Sequence, residues 1–358
     1  MARKYRRALV VGKFAPFHKG HQLVVDHALS IADKVIVLIW SNPEFPDMPV
    51  DVRADWIRRL YPKRVFVGTP SMQKRPRRWD PEMDADLDPP SDDAPQGSQL
   101  RFTYRMLQYA KASLWWDDQI DVVVSSEPYG KDIAAYLGTI GASGREPIWK
   151  VDTVTLDRAE LPVSGTLVRE DIHARRKWLD PEVYAHFVEP VVFMGAESTG
   201  KSTLVERLAG ALQTSWVHEY GRTYYEEHGG VMDLDGYVEI AKRHQELEET
   251  AKRDPMVNRW VFVDTNALTT LMFSYLYERA ARPELWKMAD KCIGRYKHWF
   301  VCDDDIPFEQ DGWRDCETAR SRVQGLILQS LDQRGIPYTV LKGPLDQRIT
   351  KVKEVLGA

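Results

Sequence analysis

The sequence has 358 residues, which is more than one ordinary hydrophobic core holds and enough for two domains. Apolar residues make up 43% of the chain and charged residues 28%, a globular balance that argues against disorder of the whole chain. The net charge of −4 offers no basic surface for nucleic acid, so no DNA or RNA partner is expected.

Cysteines and long apolar stretches are both scarce. Cys292, Cys302 and Cys316 are odd in number and lack metal-ligand spacing, so neither a disulfide framework nor a zinc site is expected. No apolar run is long enough for a signal peptide or a membrane span. We therefore expect a cytoplasmic protein without a membrane partner.

The first half of the chain alternates between short apolar runs and stretches with helical spacing. Strands are predicted at residues 8–11, 34–40, 64–67, 120–125 and 149–154, and helices at 20–32, 52–60, 103–115 and 131–137. This alternation is typical of an α/β fold with a parallel sheet. Residues 71–98, rich in Pro, Asp and Arg, are predicted to form an exposed, partly mobile loop. Residues 169–190 are predicted to be helical.

A new apolar run at residues 191–194, followed by a glycine loop and a helix at 202–212, marks a second domain. Further strands are predicted at residues 215–218, 260–263, 299–302 and 337–341, and the last helix at 349–356. The predicted fold class is therefore α/β, with two domains at residues 1–187 and 188–358. Each domain is predicted to hold a parallel sheet flanked by helices.

The segment after the first strand has the composition of a phosphate site. Gly12 lets the backbone turn tightly, and Gly20 precedes a helix whose N-terminus favours anions. His18 and His21 can point to one side of this turn and donate hydrogen bonds to a phosphoryl group. Two surface histidines beside a turn are the alternative.

This segment, GKFAPFHKGH, resembles the G-x-F-x-P-x-H-x-G-H signature of the nucleotidyltransferase superfamily. Downstream, VSGTLVR resembles the I-S-G-T-x-I-R motif of the same superfamily. The resemblance implies an N-terminal Rossmann-like domain that transfers the AMP part of ATP to an acceptor, with Mg²⁺ bound to the ATP. The catalytic residues it implies are His18 and His21, and the ATP-binding residues are Gly12, Lys13, Phe14, Gly20, Ser164, Thr166 and Arg169.

The segment GAESTGKST fits the P-loop pattern G-x-x-x-x-G-K-[ST] and lies between a predicted strand and a predicted helix. Its backbone N–H groups are expected to wrap phosphates, while Lys201 reaches the β- and γ-oxygens and Ser202 ligates Mg²⁺. The predicted ATP-binding residues here are Gly195, Glu197, Ser198, Thr199, Gly200, Lys201, Ser202 and Thr203.

Residues near the next predicted strand ends are candidates for the acceptor side of this site. Glu219 is a candidate base or hydroxyl-orienting group, and Asp264 ends a buried strand as a Walker-B acid would, holding Mg²⁺. Arg222, Tyr220 and Tyr224 are candidate substrate-binding groups. An ordinary strand-end aspartate is the alternative for Asp264.

A segment near residue 307 has the composition of a lid. PFEQDGWR leads to Arg320, and we expect this arginine-bearing segment, through Arg314 and Arg320, to close over ATP. A solvated helix start is the alternative.

Taken together, the motifs resemble the bifunctional nicotinamide-nucleotide adenylyltransferase / ribosylnicotinamide kinase family (NadR-type). The resemblance rests on GKFAPFHKGH, VSGTLVRE, GAESTGKSTL, EYGRTY, FVDTNALTT and PFEQDGWR, in that order. It implies a C-terminal P-loop kinase that makes nicotinamide mononucleotide (NMN) from nicotinamide riboside, and a transferase that joins NMN to AMP, giving NAD. ATP, nicotinamide riboside, NMN and NAD are thus the expected ligands, and a homo-oligomer stays open.

Two features depart from the family pattern. Some members carry an N-terminal helix-turn-helix repressor domain, but here the first strand is predicted near Ala8, so we expect no DNA-binding role. The loop at residues 71–98 lies where the acceptor nucleotide is recognised, and Trp79 within it is a candidate to stack on nicotinamide.

Two other functions stay open. The same two chemistries could act on other acceptors, such as pantetheine phosphate or another nucleoside. The chain could also be an NAD-sensing regulator with reduced catalysis. The intact His18, His21, Lys201 and Ser202 argue against the second.

Overall fold

The computed structural model describes residues 3–69, 96–113, 119–140, 150–157, 159, 162–307 and 317–358. The chain forms two compact units, Met1–Val183 and Tyr184–Ala358. Within the described ranges, no helix is both long and apolar enough to cross a bilayer. The assignment of residues 1–187 and 188–358 to two functional domains stays a prediction.

The first unit is built on a five-stranded parallel sheet with strand order β3-β2-β1-β4-β5. Its strands are β1 (Tyr5–Gly12), β2 (Ala32–Ile39), β3 (Val65–Gly68), β4 (Val122–Ser125) and β5 (Asp152–Thr155). The helices are α1 (Lys19–Ile31), α2 (Val50–Leu60), α3 (Gln96–Ser113), α4 (Tyr129–Ile140) and α5 (Gly165–Glu170). The short helix α6 (Pro181–Tyr184) follows.

The central strand β1 positions the first site. Its residues 8–11 are apolar on both faces because helices cover both sides of the sheet, and Leu9 packs with Ile36 and Val123 in one core cluster. The chain leaves β1 at Gly12, where the strand order reverses between β2 and β4. In open α/β sheets, ligands bind at this point, outside the carboxyl ends of the strands.

The second unit is also built on a five-stranded parallel sheet, with strand order β10-β9-β6-β8-β7. Its strands are β6 (Glu189–Met194), β7 (Trp216–Val217), β8 (Trp260–Asp264), β9 (His298–Cys302) and β10 (Thr339–Leu341). The helices are α7 (Lys201–Leu212), α8 (Tyr220–Glu227), α9 (Leu234–Ala251), α10 (Ala267–Glu278), α11 (Pro283–Cys292), α12 (Glu317–Gln333) and α13 (Leu345–Leu356). The predicted fold class, two α/β units with parallel sheets flanked by helices, is confirmed.

Two sequence predictions about local structure are wrong. Residues 169–190 do not form one helix, because the side chains of Asp171 and Asp180 accept the backbone N–H groups of Ala174 and Glu182 and so compete with helical hydrogen bonds. Residues 96–98 are not loop, since α3 begins at Gln96. The rest of the predicted loop, residues 71–95, lies outside the described residues.

Candidate active sites

A cavity of about 600 Å³ opens at the carboxyl end of β1. All of the catalytic and ATP-binding residues predicted for the transferase line it: Gly12, Lys13, Phe14, His18, Gly20, His21, Ser164, Thr166 and Arg169. The structure therefore brings the two distant motifs together at one place. Their functional roles stay predictions.

His18 and His21 form a stacked pair at the start of α1. His18 is the N-cap of the helix, and its ring lies 3.7 Å from that of His21, measured between centroids. The backbone N–H of His18 donates to Nδ1 of His21 across 3.3 Å. Since Nδ1 accepts, the ring proton of neutral His21 lies on Nε2. Nε2 is therefore the nitrogen that can donate to a phosphate oxygen.

The helix α5 is held against the loop that follows β1. Ser164 is the N-cap of α5, and its hydroxyl accepts the backbone N–H of Leu167 at 3.1 Å. The guanidinium of Arg169 donates to the Ala15 carbonyl and, at 3.1 Å, to the hydroxyl of Thr166. These bonds fix an arginine and two hydroxyl groups beside the histidine pair, an arrangement suited to an anion.

Gly165 is required by this close approach. A Cβ atom there would lie 2.8 Å from the Ala15 carbonyl oxygen and 3.0 Å from Nη1 of Arg169. A side chain would therefore push α5 away from the β1 loop. The glycine of the VSGTLVR segment thus has a packing reason that is independent of ligand binding.

Sequence reasoning missed Arg53, which supports the same loop from α2. Its side chain is 1% exposed and donates to the carbonyls of Lys13, Met48 and Trp40, the last two at 2.8 and 3.0 Å. Burial lowers the pKa of Arg53 to about 10. The Phe45 ring lies under this guanidinium, at 5.5 Å, and also under that of Arg169, at 4.8 Å. A charged residue on the apolar face of α2 was the only sequence signal for Arg53.

The second site begins where β6 ends and the P-loop wraps back to α7. Gly195 has φ of +146°, and a Cβ atom there would lie 2.7 Å from the Cys302 carbonyl oxygen on β9. Only glycine adopts this backbone without strain. Inside the loop, the hydroxyl of Thr199 and the ammonium of Lys201 both donate to the Ala196 carbonyl, at 2.8 and 2.9 Å. The loop is thus closed by its own side chains.

Ser202 and Asp264 meet at the floor of this site. The hydroxyl of Ser202 donates to Oδ2 of Asp264 across 2.5 Å. Asp264 is fully buried, and Oδ1 has no hydrogen-bond partner among the described residues. A buried carboxylate oxygen without a partner is costly, unless a cation or ligand completes it. A P-loop hydroxyl beside a strand-end aspartate is the donor set that holds Mg²⁺ in P-loop enzymes, so the residues fit that ion.

Glu219 lies near this pair as the N-cap of α8. Burial and the negative charge of Asp264 raise the pKa of the Glu219 carboxyl, and Lys201 and His244 act in the opposite direction. A carboxylate with a raised pKa in a cleft is suited to accept a proton from a hydroxyl. The predicted position of Glu219 on the acceptor side is consistent with this environment.

The P-loop, Glu219 and Asp264 line a cavity of about 1140 Å³. Most of the residues predicted for the kinase site line it: Glu197, Ser198, Thr199, Gly200, Lys201, Ser202, Thr203, Glu219, Tyr220, Arg222 and Asp264. Arg222 is partly solvated, with an ion pair to Glu226 at 3.2 Å.

Other predicted residues lie elsewhere. Tyr224 is not among the residues that line this cavity: its ring stacks on His228, just after α8, at 3.8 Å, and packs against Gly236 on α9. Arg320 is buried rather than placed over the cavity, and it donates to the Ile306 carbonyl at 2.9 Å. Arg314 and Trp79 lie outside the described residues.

Two further residues missed by sequence reasoning support the P-loop. Gln324 on α12 accepts the backbone N–H of Ala196 at 2.9 Å and donates to the Cys302 carbonyl at 3.0 Å. Arg348 on α13 donates to the Thr199 carbonyl at 2.6 Å. Neither belongs to a contiguous motif, so the spacing of residues along the chain gave no signal for them.

Comparison with known proteins covers both sites. A family model described as an AAA domain matches residues 190–348. The Trifunctional NAD biosynthesis/regulator protein NadR of Escherichia coli (strain K12) is 26% identical, over 98% of this chain and 83% of its own length. Crystal structures of NadR protein, one in complex with NR and one with NAD and AMP-PNP, superpose with a TM-score of 0.69 at 20% and 19% identity. Each comparison covers 100% of this chain and 98% of the other, and shows a shared fold.

Proposed function

The chain belongs to the NadR family, to which it is homologous over 98% of its length, and we propose that it makes NAD from nicotinamide riboside in two ATP-dependent steps. The kinase step, assigned to residues 188–358, gives NMN. The transferase step, assigned to residues 1–187, joins NMN to AMP. The observation that carries this proposal is that the central strand of each sheet ends in a phosphate-binding motif that lines a cavity.

In the kinase step, a hydroxyl oxygen of the riboside attacks the γ-phosphorus of ATP, the bond to the bridging oxygen breaks, and ADP leaves. Glu219 orients the hydroxyl and accepts its proton, for which its raised pKa is suited. The P-loop N–H groups and Lys201 stabilise the charge on the transferred group. The enzyme therefore acts by position and charge, without a covalent intermediate.

A magnesium ion bound with ATP would supply neutralisation of the phosphate charge. Ser202 and Asp264 are the residues that would hold it, because their oxygens meet at 2.5 Å and Oδ1 of the aspartate is buried without a described partner. The assignment of these two residues as metal ligands rests on their hydroxyl and carboxylate oxygens.

In the transferase step, a phosphate oxygen of NMN attacks the α-phosphorus of ATP, the bond to the bridging oxygen breaks, and pyrophosphate leaves. His21, through Nε2–H, and His18 donate to the phosphate oxygens as charge develops. Arg169 and the N-terminus of α5, which line the same cavity, hold the phosphates. Since NMN is the product of one step and the substrate of the other, the two steps form one sequence.

The wall of the kinase cavity favours a cationic aromatic acceptor. It is lined by the aromatic residues Trp216, Tyr220, Tyr225, Tyr237, Phe273 and Tyr277, and by the carboxylates of Glu226 and Glu278. Burial and the nearby charge of Glu278 raise the pKa of Tyr237 to about 12, so these two groups lie close together. Rings and carboxylates of this kind suit the positively charged pyridinium of nicotinamide riboside better than the neutral base of an ordinary nucleoside.

The proposal is tested by giving the purified protein nicotinamide riboside and Mg-ATP and identifying the products by mass. NMN and NAD are expected, with ADP and pyrophosphate as the other products. Parallel reactions with cytidine, uridine and pantetheine phosphate test the other acceptors, and product in one of these arms alone would reassign the substrate. Binding of NAD without any turnover would support the regulator instead. A cytoplasmic location belongs to the same proposal, since its nucleotide substrates are found there.

A further inference from the structure

A buried polar network lies directly behind Asp264. His244 on α9 is 4% exposed and lines the kinase cavity, with Nε2 lying 3.1 Å from the backbone carbonyl oxygen of Asp264. Its other nitrogen, Nδ1, lies 3.2 Å from the carboxylate of Glu248. Glu248 in turn accepts hydrogen bonds from Arg295, at 2.9 Å, and from Tyr296, at 2.7 Å. The network therefore runs from the body of the unit to the strand end that carries the candidate metal ligand.

The two neighbours of the His244 ring are a carbonyl oxygen and a carboxylate. A carbonyl oxygen only accepts, so Nε2 of His244 donates to Asp264. Burial alone would raise the pKa of Glu248, but its hydrogen bond with His244 and the charges of His244 and Arg295 keep that pKa below its usual value. Glu248 is therefore a carboxylate, and its Oε1 lies 3.2 Å from Nδ1. The imidazole ring thus lies between two acceptors and cannot turn without moving a nitrogen away from one of them.

The carbonyl that His244 holds belongs to a strained turn. Thr265, the next residue, has φ of +65°, a left-handed conformation that is unfavourable for a β-branched residue. Such a conformation persists where the surrounding structure holds it in place. Since His244 binds the peptide oxygen between Asp264 and Thr265, it acts on the turn that directs the Asp264 carboxylate towards Ser202.

We propose that His244 is a positioning residue of the kinase site, which holds the Asp264–Thr265 peptide and thereby keeps the Asp264 carboxylate in place for the metal ion bound with ATP. This inference rests on the proposed kinase function. A purely structural role, in which the network only joins α9 to β8, is the competing explanation. The positioning role and the structural role predict different effects of His244 substitutions on metal affinity.

Two amide variants separate the two bonds of the ring. In His244→Gln, the amide nitrogen takes the place of Nε2 and can still donate to the Asp264 carbonyl. In His244→Asn, the shorter amide takes the place of Nδ1, so it keeps the bond to Glu248 and loses the bond to Asp264. Tyr296→Phe removes a hydrogen bond to Glu248 at the far end of the network and serves as the stability control.

The readouts are the affinity for Mn²⁺ in the presence of AMP-PNP, measured by electron paramagnetic resonance, the kcat and KM of the kinase, and the unfolding temperature. We expect His244→Asn to weaken Mn²⁺ binding about 10–100-fold, as loss of a supporting partner of a metal ligand does. It should lower kcat and leave the KM for the riboside unchanged. His244→Gln should retain most of the Mn²⁺ affinity and most of kcat. Tyr296→Phe should lower only the unfolding temperature.

Equal Mn²⁺ affinity in the Asn variant and the wild-type protein would overturn the proposal. Losses in the Gln, Asn and Tyr296→Phe variants that simply follow the unfolding temperature would overturn it too, in favour of a structural role. Failure of the proposed function is distinguishable, because the wild-type protein would then make no NMN, whereas Mn²⁺ binding with AMP-PNP can still be measured.

Discussion

The guanidinium of Arg348 donates a hydrogen bond to the Thr199 carbonyl across 2.6 Å and so ties the last helix, α13, to the P-loop. Arg348 is 2% exposed and also donates to the carbonyls of Gly343 and Asp303, at 2.8 and 3.2 Å, and to the carboxylate of Asp305. One side chain thus fixes three loops at the edge of the kinase cavity. The shape of the phosphate loop depends on a residue near the end of the chain.

Arg348→Lys should therefore weaken the kinase although the charge is kept, since an ammonium cannot reach several acceptors in the way a planar guanidinium does. We expect about 1–3 kcal/mol of lost stability from the unsatisfied carbonyls, and a raised KM for ATP. Thermal unfolding and kinase kinetics measure both effects. Lys351→Ala, on an exposed position of the same helix, is the control and should change neither. An unchanged KM for ATP in Arg348→Lys would count against a role in shaping the loop.

The two steps should be separable by mutation. His21→Ala should lower the rate of NAD formation about 10²–10³-fold, as loss of one preorganised donor does, and should spare NMN formation. Lys201→Ala should do the reverse when NMN is supplied to measure the transferase directly. Both rates are measured on each variant. If either change stopped both reactions, two independent sites would be the wrong description.

Glu219→Gln should reduce activity and increase stability. Because burial and Asp264 raise the pKa of Glu219, the folded state holds this proton more tightly than the unfolded chain. The contribution of Glu219 to stability is therefore present below its unfolded pKa and lost as pH rises through the folded pKa. Without an acceptor for the hydroxyl proton, kcat should fall about 10²–10⁴-fold.

The stability effect of Glu219→Gln is checked by calorimetry across the pH range. The unfolding temperature of the variant should exceed that of the wild-type protein at about pH 8, and the gap should narrow towards about pH 5. Kinase rates at the same pH values give the second readout. A variant less stable than wild type at the higher pH would show that the Glu219 carboxylate is favourably paired, in contrast to the expected sign.

Gly165→Ala tests the close contact between α5 and the β1 loop. The added Cβ would lie 2.8 Å from the Ala15 carbonyl, so α5 must shift together with Ser164 and Arg169. We expect a loss of about 1–3 kcal/mol, in line with overpacking, and a lower kcat/KM of the transferase with the kinase unchanged. Gly97→Ala is the matched control in the same unit, since its Cβ would meet only Arg101, at 3.6 Å.

The sequence signals differ between the phosphate side and the acceptor side of each site. The residues predicted for the phosphate side, Gly12 to His21 and Gly195 to Thr203, form contiguous segments whose strand–loop–helix context was already visible in the pattern of apolar residues. On the acceptor side, one predicted residue is not part of the cavity wall. Tyr224 was predicted to bind the substrate, but its ring packs against Gly236 on α9. The sequence of a helix of eight residues does not reveal which of its sides a neighbouring helix will cover.

The sequence by itself determined the two α/β units and the residues that turn around phosphates, because these depend on local backbone geometry and on hydrogen bonds between near neighbours. Only the tertiary structure decided which distant residues hold those turns. Arg348 reaches Thr199, His244 reaches Asp264, and Arg169 reaches Ala15. Each of these contacts joins separate elements, and which side chains meet depends on how helices pack against the sheet, a property that no short stretch of sequence contains.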